Sequence, residues 1–256
     1  MMHGQSFDQL ALQLAAQNAL VVAPDLRGFG RSYYATNGDK DKTDYLRSLA
    51  DLSHLLRLFK DEHEDLPFFC AGESLGAHLA RALVTMHPEL VDGLILSSPC
   101  VRPRMVSLPL IPHACSQLML AGFSPEREVD LLPFAKNFLK GEPDSLHVYL
   151  NDPLTRKSLD VLELIDSLRI VGSMSGQQLP AELPVLVLRG INDCVCKSNS
   201  FKQFIDSLQT TNLVVHGCHG CGHLILQSPL VVREVMQLIS SWLHAAPMRV
   251  QVGDSG

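Results

Sequence analysis

The chain has 256 residues, of which 46% are hydrophobic and 19% are charged, with a formal net charge of −6. These values exclude global disorder and predict a packed core, in one large domain or one domain with an insertion. The acidic balance argues against a nucleic-acid partner, while seven cysteines, no signal peptide and no membrane-spanning apolar stretch predict a cytoplasmic protein with reduced thiols.

The spacing of apolar residues predicts alternating helices and strands. In chain order we expect a helix at 6–18, a strand at 19–23, a long helix opened by Thr43 or Asp44, a strand at 67–71 followed by a helix, strands at 93–97 and 184–189, a helix at 197–208, a strand at 212–216 and a helix at 230–244. This alternation predicts an α/β fold, with a mostly parallel sheet covered by helices on both faces.

Residues 101–181 interrupt the alternation with eight prolines and short helical runs between them. A segment of that length is too long for a loop in a compact domain. We therefore predict an α/β core at 1–100 and 182–244, an inserted helical cap at 101–181 and a flexible tail at 245–256.

The pentapeptide Gly72-Glu73-Ser74-Leu75-Gly76 lies between a predicted buried strand and a predicted helix. A serine on such a sharp turn is lifted above the sheet edge, and Gly72 and Gly76 would avoid collisions that a Cβ would cause. The helix N-terminus offers backbone N–H groups to developing negative charge. The sequence therefore predicts Ser74 as a nucleophile, against the alternative of an ordinary turn.

A serine nucleophile needs a base, and the base needs an acid to hold it. Asp193 follows the strand at 184–189, and His223 follows the strand at 212–216, so both are expected at the sheet edge that carries Ser74. The alternatives are Asn192, which cannot carry the negative charge, and His219, which lies closer to the strand end. Asp193 and His223 are the predicted acid and base.

Four cysteines near these residues raise the alternative of a zinc site: Cys194, Cys196, Cys218 and Cys221. Their spacing is compatible with tetrahedral ligation. His223 is already required as the base, however, and two of the thiols flank Asp193. We therefore predict no metal and no organic cofactor.

The segments VVAPDLRGFGRS, GESLG, LRGINDCV and GCGHLIL resemble the α/β-hydrolase superfamily in order over nearly the whole chain. With Asn151-Asp152-Pro153-Leu154, they are similar to its monoacylglycerol lipase and lysophospholipase branch, the serine aminopeptidase S33 type. This resemblance implies an oxyanion hole from the backbone N–H groups of Leu75 and Gln5, the latter following His3-Gly4. In the family His-Gly closes the third strand, so the N-terminal strands are expected to be missing here, either because the native product starts upstream or because this form is truncated.

The predicted function is hydrolysis of a carboxylic ester with an apolar acyl chain, a monoacylglycerol or lysophospholipid, through an acyl-enzyme. A thioesterase or peptidase of the same fold, and a truncated non-catalytic binding protein, are the alternatives. Apolar residues crowd one part of the cap: Met105, Val106, Leu108, Leu110, Ile111, Leu118, Met119, Leu120 and Phe123. We expect them to form a small satellite core, an acyl-binding wall or a lid that touches a lipid surface.

Overall fold

The computed structural model describes residues 3–34, 42–99, 126–173, 178–196, 198–228, 231 and 233–246. Its strands are β1 (Phe69–Glu73), β2 (Gly93–Ser97), β3 (Glu128–Asp130), β4 (Ser158–Asp160), β5 (Val185–Gly190) and β6 (Leu213–Cys218). After a 3-10 turn at Gly4–Phe7, its helices are α1 (Asp8–Ala15), α2 (Gly30–Tyr34), α3 (Tyr45–Glu62), α4 (Leu75–Met86), α5 (Leu132–Phe138), α6 (Pro143–Asn151), α7 (Val161–Ser173), α8 (Ser198–Asp206) and α9 (Arg233–Ala245).

Strands β1, β2, β5 and β6 form a parallel sheet in the order β1-β2-β5-β6. The central strands β2 and β5 are almost entirely buried, as their uninterrupted apolar sequences predict. Parallel neighbours need crossover connections, and α4 supplies the crossover from β1 to β2 while α8 supplies that from β5 to β6. The predicted parallel sheet is confirmed.

The side chains of β2 and β5 alternate between two hydrophobic clusters, one on each face of the sheet. Leu94 and Val187 pack with residues of α4 and α8 on one face. Ile95 and Leu186 pack with residues of α1 and α9, including Trp242, on the other face. Because successive side chains of a strand point to opposite faces, both faces of this sheet are apolar and both are covered by helices.

The strand predicted at 19–23 is wrong, because the structure has no strand there. Leu20 and Val22 are exposed, and β1 pairs only with β2 among the described strands. An extended segment becomes a strand only when a neighbour accepts and donates its backbone hydrogen bonds. The long helix α3 begins as predicted, since the Asp44 carboxylate caps it by accepting the Arg47 N–H.

Residues 126–173 contain α5, α6 and α7 and an antiparallel β3–β4 pair, in which Val129 lies opposite Leu159. That short ladder was not predicted, because three-residue strands leave little periodic signal. Residues 126–173 lie within the predicted cap insertion at 101–181, and we name them the cap segment; that the insertion forms a separate cap stays a prediction. No helix in the described part of the chain is long and apolar enough to cross a membrane.

Candidate active site

Ser74 occupies a sharp turn between the end of β1 and the start of α4. Its φ of 55° and ψ of −116° lie in a region that non-glycine residues rarely adopt. A Cβ on Gly72 would lie 2.1 Å from the carbonyl oxygen of Gly76, so glycine is required at that position. At Gly76 the expected collision is absent, because a Cβ there would meet no atom within 4 Å.

The three residues predicted to carry the chemistry lie together at the carboxyl edge of the sheet. The Ser74 Oγ is 2.9 Å from Nε2 of His223. The opposite ring nitrogen of His223, Nδ1, is 3.1 Å from Oδ2 of Asp193. Asp193 and His223 are buried whereas Ser74 is partly accessible, so a substrate can reach the hydroxyl and the other two groups are shielded from water.

The loop after β5 holds the Asp193 carboxylate in its charged form. Burial alone would raise the pKa of Asp193, but the hydrogen bond with His223 and the N–H groups of Val195 and Cys196 bring the pKa below its ordinary value. The Asp193 Oδ1 atom accepts those two N–H groups at 2.7 and 3.3 Å. A carboxylate that accepts backbone N–H groups stays ionised, and it can orient an imidazole.

The electrostatic surroundings of His223 favour its protonated form. Burial would lower the pKa of His223, but the Asp193 hydrogen bond and the negative charges of Asp193, Glu73 and Glu142 raise it above the ordinary value of 6.5. A buried imidazole surrounded by three carboxylates can therefore take a proton from Ser74 and keep it briefly.

Sequence reasoning missed two carboxylates that bind the loop carrying His223. Glu73, inside the serine turn itself, is buried, and Glu142 precedes α6 in the cap segment. The only sequence signal for Glu73 is an acidic side chain at the end of a buried strand, where it must find hydrogen-bond donors. Glu142 gives no comparable signal, because its partners lie some 80 residues away.

Gln5 and Leu75, the residues implied for an oxyanion hole, lie at the starts of two helical segments. Leu75 is the first residue of α4, whose opening N–H groups lack helical partners. Gln5 lies in the 3-10 turn, and its exposed side chain accepts a hydrogen bond from Arg31. The preceding Gly4 is fixed because its N–H donates to Asp25 Oδ1 at 2.7 Å. Their joint role stays a prediction.

The alternatives weighed for the acid and base lie elsewhere. His219 is exposed, and Asn192 is exposed with its backbone N–H donated to the Cys221 carbonyl. Within the described ranges, no group of three or more His, Cys, Asp or Glu side chains is arranged to hold a metal ion. The apolar cap residues from Met105 to Phe123 lie outside the described residues.

A parallel sheet covered on both faces, with a serine at a strand–helix turn and an acid and histidine on later loops, defines the class of α/β-hydrolases. A family model described as serine aminopeptidase, S33, matches residues 1–229. The chain belongs to this family. The predicted resemblance is thereby confirmed, and so is the predicted enzyme class, a hydrolase of the carboxylesterase and lipase kind.

Several relatives are similar over most of the chain. A monoglyceride lipase of Mus musculus is 26% identical over 246 residues, which cover 94% of this chain and 78% of the mouse protein. A monoacylglycerol lipase of Mycolicibacterium smegmatis is 22% identical, covering 94% of this chain and 84% of its own. The crystal structure of the Paleococcus ferrophilus monoacylglycerol lipase has a TM-score of 0.72 at 19% identity, covering 96% of this chain and 91% of that one, which supports the fold.

Proposed function

We propose that this protein hydrolyses a carboxylic ester of an apolar acyl chain, with monoacylglycerol as the leading substrate class, through an acyl-enzyme at Ser74. The observation that carries the proposal is the line of contacts from Ser74 Oγ through His223 to Asp193, at 2.9 and 3.1 Å. Nucleophile, base and orienting acid in that sequence are the requirements for acyl transfer from an ester.

In the proposed mechanism, the Ser74 Oγ attacks the ester carbonyl as His223 Nε2 takes the hydroxyl proton. Asp193 holds the imidazole in position and stabilises its positive charge. The N–H groups of Leu75 and Gln5 are assigned to the carbonyl oxygen as it gains negative charge. The alcohol leaves with the proton from His223, and a water molecule, deprotonated by His223, then releases the carboxylic acid and restores Ser74.

The substrate class rests on the relatives rather than on a described pocket. The mouse and mycobacterial relatives are named for monoacylglycerol hydrolysis, and each aligns with 94% of this chain. Lysophospholipid shares the acyl ester and differs in its charged headgroup, so it is the comparison substrate.

A fluorophosphonate probe tests the proposed nucleophile. We expect the wild-type protein to be labelled on Ser74, and the Ser74→Ala variant to lose labelling and about a thousandfold or more of its esterase rate. Ser240→Ala, on the distant α9, is the matched control and should behave as wild type. A folded wild-type protein that takes no label would instead favour the binding-protein alternative.

A chain-length series of monoacylglycerols, with matching lysophospholipids, tests the substrate. Each buried methylene contributes about 0.8 kcal/mol of apolar transfer energy, so kcat/KM should rise about tenfold for each pair of added carbons that is buried. A rate that is flat from acetyl to palmitoyl, or higher for the corresponding thioester, would contradict the proposed substrate.

The activity should depend on pH through His223. The base must be neutral to accept the Ser74 proton, and the pKa of His223 is raised above 6.5. The esterase rate should therefore fall as the pH drops through that raised pKa, so that the acid limb of the profile lies on the neutral side of 6.5. Initial rates from about pH 5 to about pH 9 measure it, and an acid limb well below the ordinary histidine value would contradict this assignment.

A further inference from the structure

Two carboxylates accept successive backbone N–H groups of the loop that carries His223. We name residues 222–227 the base loop. The backbone N–H groups of residues 223 to 227, five in succession, all donate to Glu142 or Glu73. His223 donates to Glu142 at 2.7 Å, and Leu224 donates to the same carboxylate. Charge-assisted bonds of this kind are about twice as strong as neutral ones.

Glu73 connects the base loop to the serine turn. One carboxylate oxygen of Glu73 accepts the N–H groups of Ile225 and Leu226 at 2.7 and 2.9 Å, and the other accepts that of Gln227 at 3.0 Å. The Ser97 hydroxyl, at the end of β2, also donates to the first of these two oxygens, Oε1, at 2.6 Å. Because Glu73 directly precedes Ser74 in the chain, its side chain fixes the base loop relative to the nucleophile.

Glu142 connects the base loop to the cap segment from the opposite side. A Cβ on Gly222 would lie 2.1 Å from Oε1 of Glu142, so the carboxylate reaches the loop only because residue 222 has no side chain. Glu142 immediately precedes α6, and at the far end of α6 Asp152 pairs with His3 at 2.6 Å. Helix α6 thus joins the base loop to the segment that carries Gln5.

We propose that Glu73 and Glu142 are positioning residues for the base. We also propose that, through Glu142, the reactivity of Ser74 depends on the position of the cap segment relative to the base loop. Neither residue contacts the hydroxyl that reacts; both act through the backbone and the charge of the base loop. This inference rests on the proposed function, because it assigns His223 the role of base.

The same carboxylates also affect proton transfer. The groups that face the His223 ring and backbone are Asp193 from the loop after β5, Glu73 and Ser74 from the serine turn, and Glu142 from the cap segment. Removing the Glu142 charge should lower the pKa of His223, because one of the negative charges that stabilise the imidazolium is lost. A purely structural contact would leave that pKa unchanged.

The test is the second-order rate of fluorophosphonate labelling of the full chain, measured as a function of pH. Glu142 is preferred to the buried Glu73 because a partly buried residue outside the core can be replaced without unfolding the protein. For Glu142→Ala we expect about a tenfold fall in the plateau rate, from misplacement of the base, and an acid limb moved to lower pH. Glu142→Gln should recover most of the plateau rate, because the amide oxygen still accepts the His223 N–H, but should keep the shifted limb.

Asp144→Asn removes one charge from the exposed first turn of the same helix, and it should match the wild type in both plateau rate and acid limb. An unchanged plateau and limb in Glu142→Ala would overturn the inference. A shift as large in Asp144→Asn as in Glu142→Gln would also overturn it, because general charge would then explain the effect.

Gly222→Ala gives an independent variant that leaves both carboxylates in the sequence. Its new Cβ should displace the flexible end of the Glu142 side chain, so its labelling rate should match that of Glu142→Ala. The double variant should lose no more than either single variant, since both remove one contact. Effects that multiply in the double variant would refute the shared contact. A wild-type protein that is not labelled on Ser74 would defeat the proposed function, whereas normal labelling that ignores Glu142 would defeat only the positioning role.

Discussion

The central sheet and the cap segment both bury apolar side chains, but the cap segment also buries a cluster of charged groups. In β5 the side chains of residues 185–188 are apolar and fully buried. In the cap segment the buried side chains include Arg156, Asp160 and Glu163, each about 4% exposed. Burial of apolar surface does not depend on ionisation, whereas charged groups inside a protein are stable only while each keeps its partner. The two regions should therefore fail under different conditions.

One ionic cluster fastens the cap segment to the rest of the protein. The Arg156 guanidinium makes a bidentate (two-fold) contact with the Glu163 carboxylate at 2.7 and 2.8 Å and also donates to the Gly28 carbonyl. It lies 4.1 Å from the centre of the Tyr33 ring. The Thr43 N–H donates to Glu163 from the start of the segment that leads into α3. A network of this kind is stable when complete and costly when one member is removed.

The largest expected change in stability comes from truncating the sheet. Leu186→Ala removes a fully buried side chain from the cluster that contains Trp242, and it should lower the global free energy of unfolding by about 2–5 kcal/mol. Urea denaturation followed by Trp242 fluorescence measures this. Leu12→Ala, at a side chain 65% exposed on α1, is the control and should change it by less than about 0.5 kcal/mol. Equal losses in the two variants would contradict the assignment of the core.

A smaller and more local effect is expected from the ionic cluster. Glu163→Gln removes the charge opposite Arg156 and should destabilise the cap segment by about 1–3 kcal/mol. Hydrogen exchange should accelerate in residues 126–173, while the peptide that contains β5 keeps its wild-type protection. Asp166→Asn, on the exposed side of the same helix α7, is the matched control. Equal deprotection of β5 would show that the two regions unfold as one unit.

The elements that were best predicted from the sequence are those whose apolar residues form a recognisable local pattern. The segment GLILS forms β2 over residues 93–97, because a short uninterrupted apolar run is typical of a parallel strand that is buried on both faces. Ser74, Asp193 and His223 could be placed together because parallel strands deliver their following loops to one edge. The segment 19–23 has the same composition as a strand and yet forms none, since composition does not supply a pairing neighbour.

The two carboxylates that bind the base loop, by contrast, could not be predicted from the sequence. Glu73 and the N–H groups that it accepts are separated by about 150 residues, and Glu142 lies 81 residues before His223. Nothing in local periodicity relates such distant groups. They become visible only after the fold has set the distance between the serine turn, the base loop and α6.

Acid should loosen the cap segment before it unfolds the sheet. Burial opposes the charged forms of Asp152 and Glu163, but their hydrogen bonds to His3 and Arg156 lower the pKa values of both carboxyls below the ordinary 3.8 and 4.5. Their contribution to stability is therefore present above the unfolded-state values and is lost as the pH falls through the lower folded values. Because only a fraction of each carboxyl group is protonated while the pH is near the folded-state pKa values, the loss of cap-segment stability should be smaller than the loss caused by Glu163→Gln. Pepsin cleavage mapped at about pH 3 should appear first within 126–173, while Trp242 fluorescence is still native; simultaneous changes would contradict the order.

The smallest change in stability is expected for an exposed arginine–carboxylate pair that has nearly the same contact geometry as the buried pair. Arg27 contacts Asp51 at 2.6 and 3.0 Å, nearly the geometry that Arg156 has with Glu163, but the side chains of Arg27 and Asp51 are 39% and 54% exposed. Water and salt screen an exposed pair, so Asp51→Asn should change the free energy of unfolding by only about 0–1 kcal/mol, and by less as salt is added. Urea denaturation at low and high salt measures both parts. If Asp51→Asn cost as much as Glu163→Gln, the two-fold contact itself, rather than its burial, would be what fastens the cap segment, and the contrast between the two regions would no longer hold.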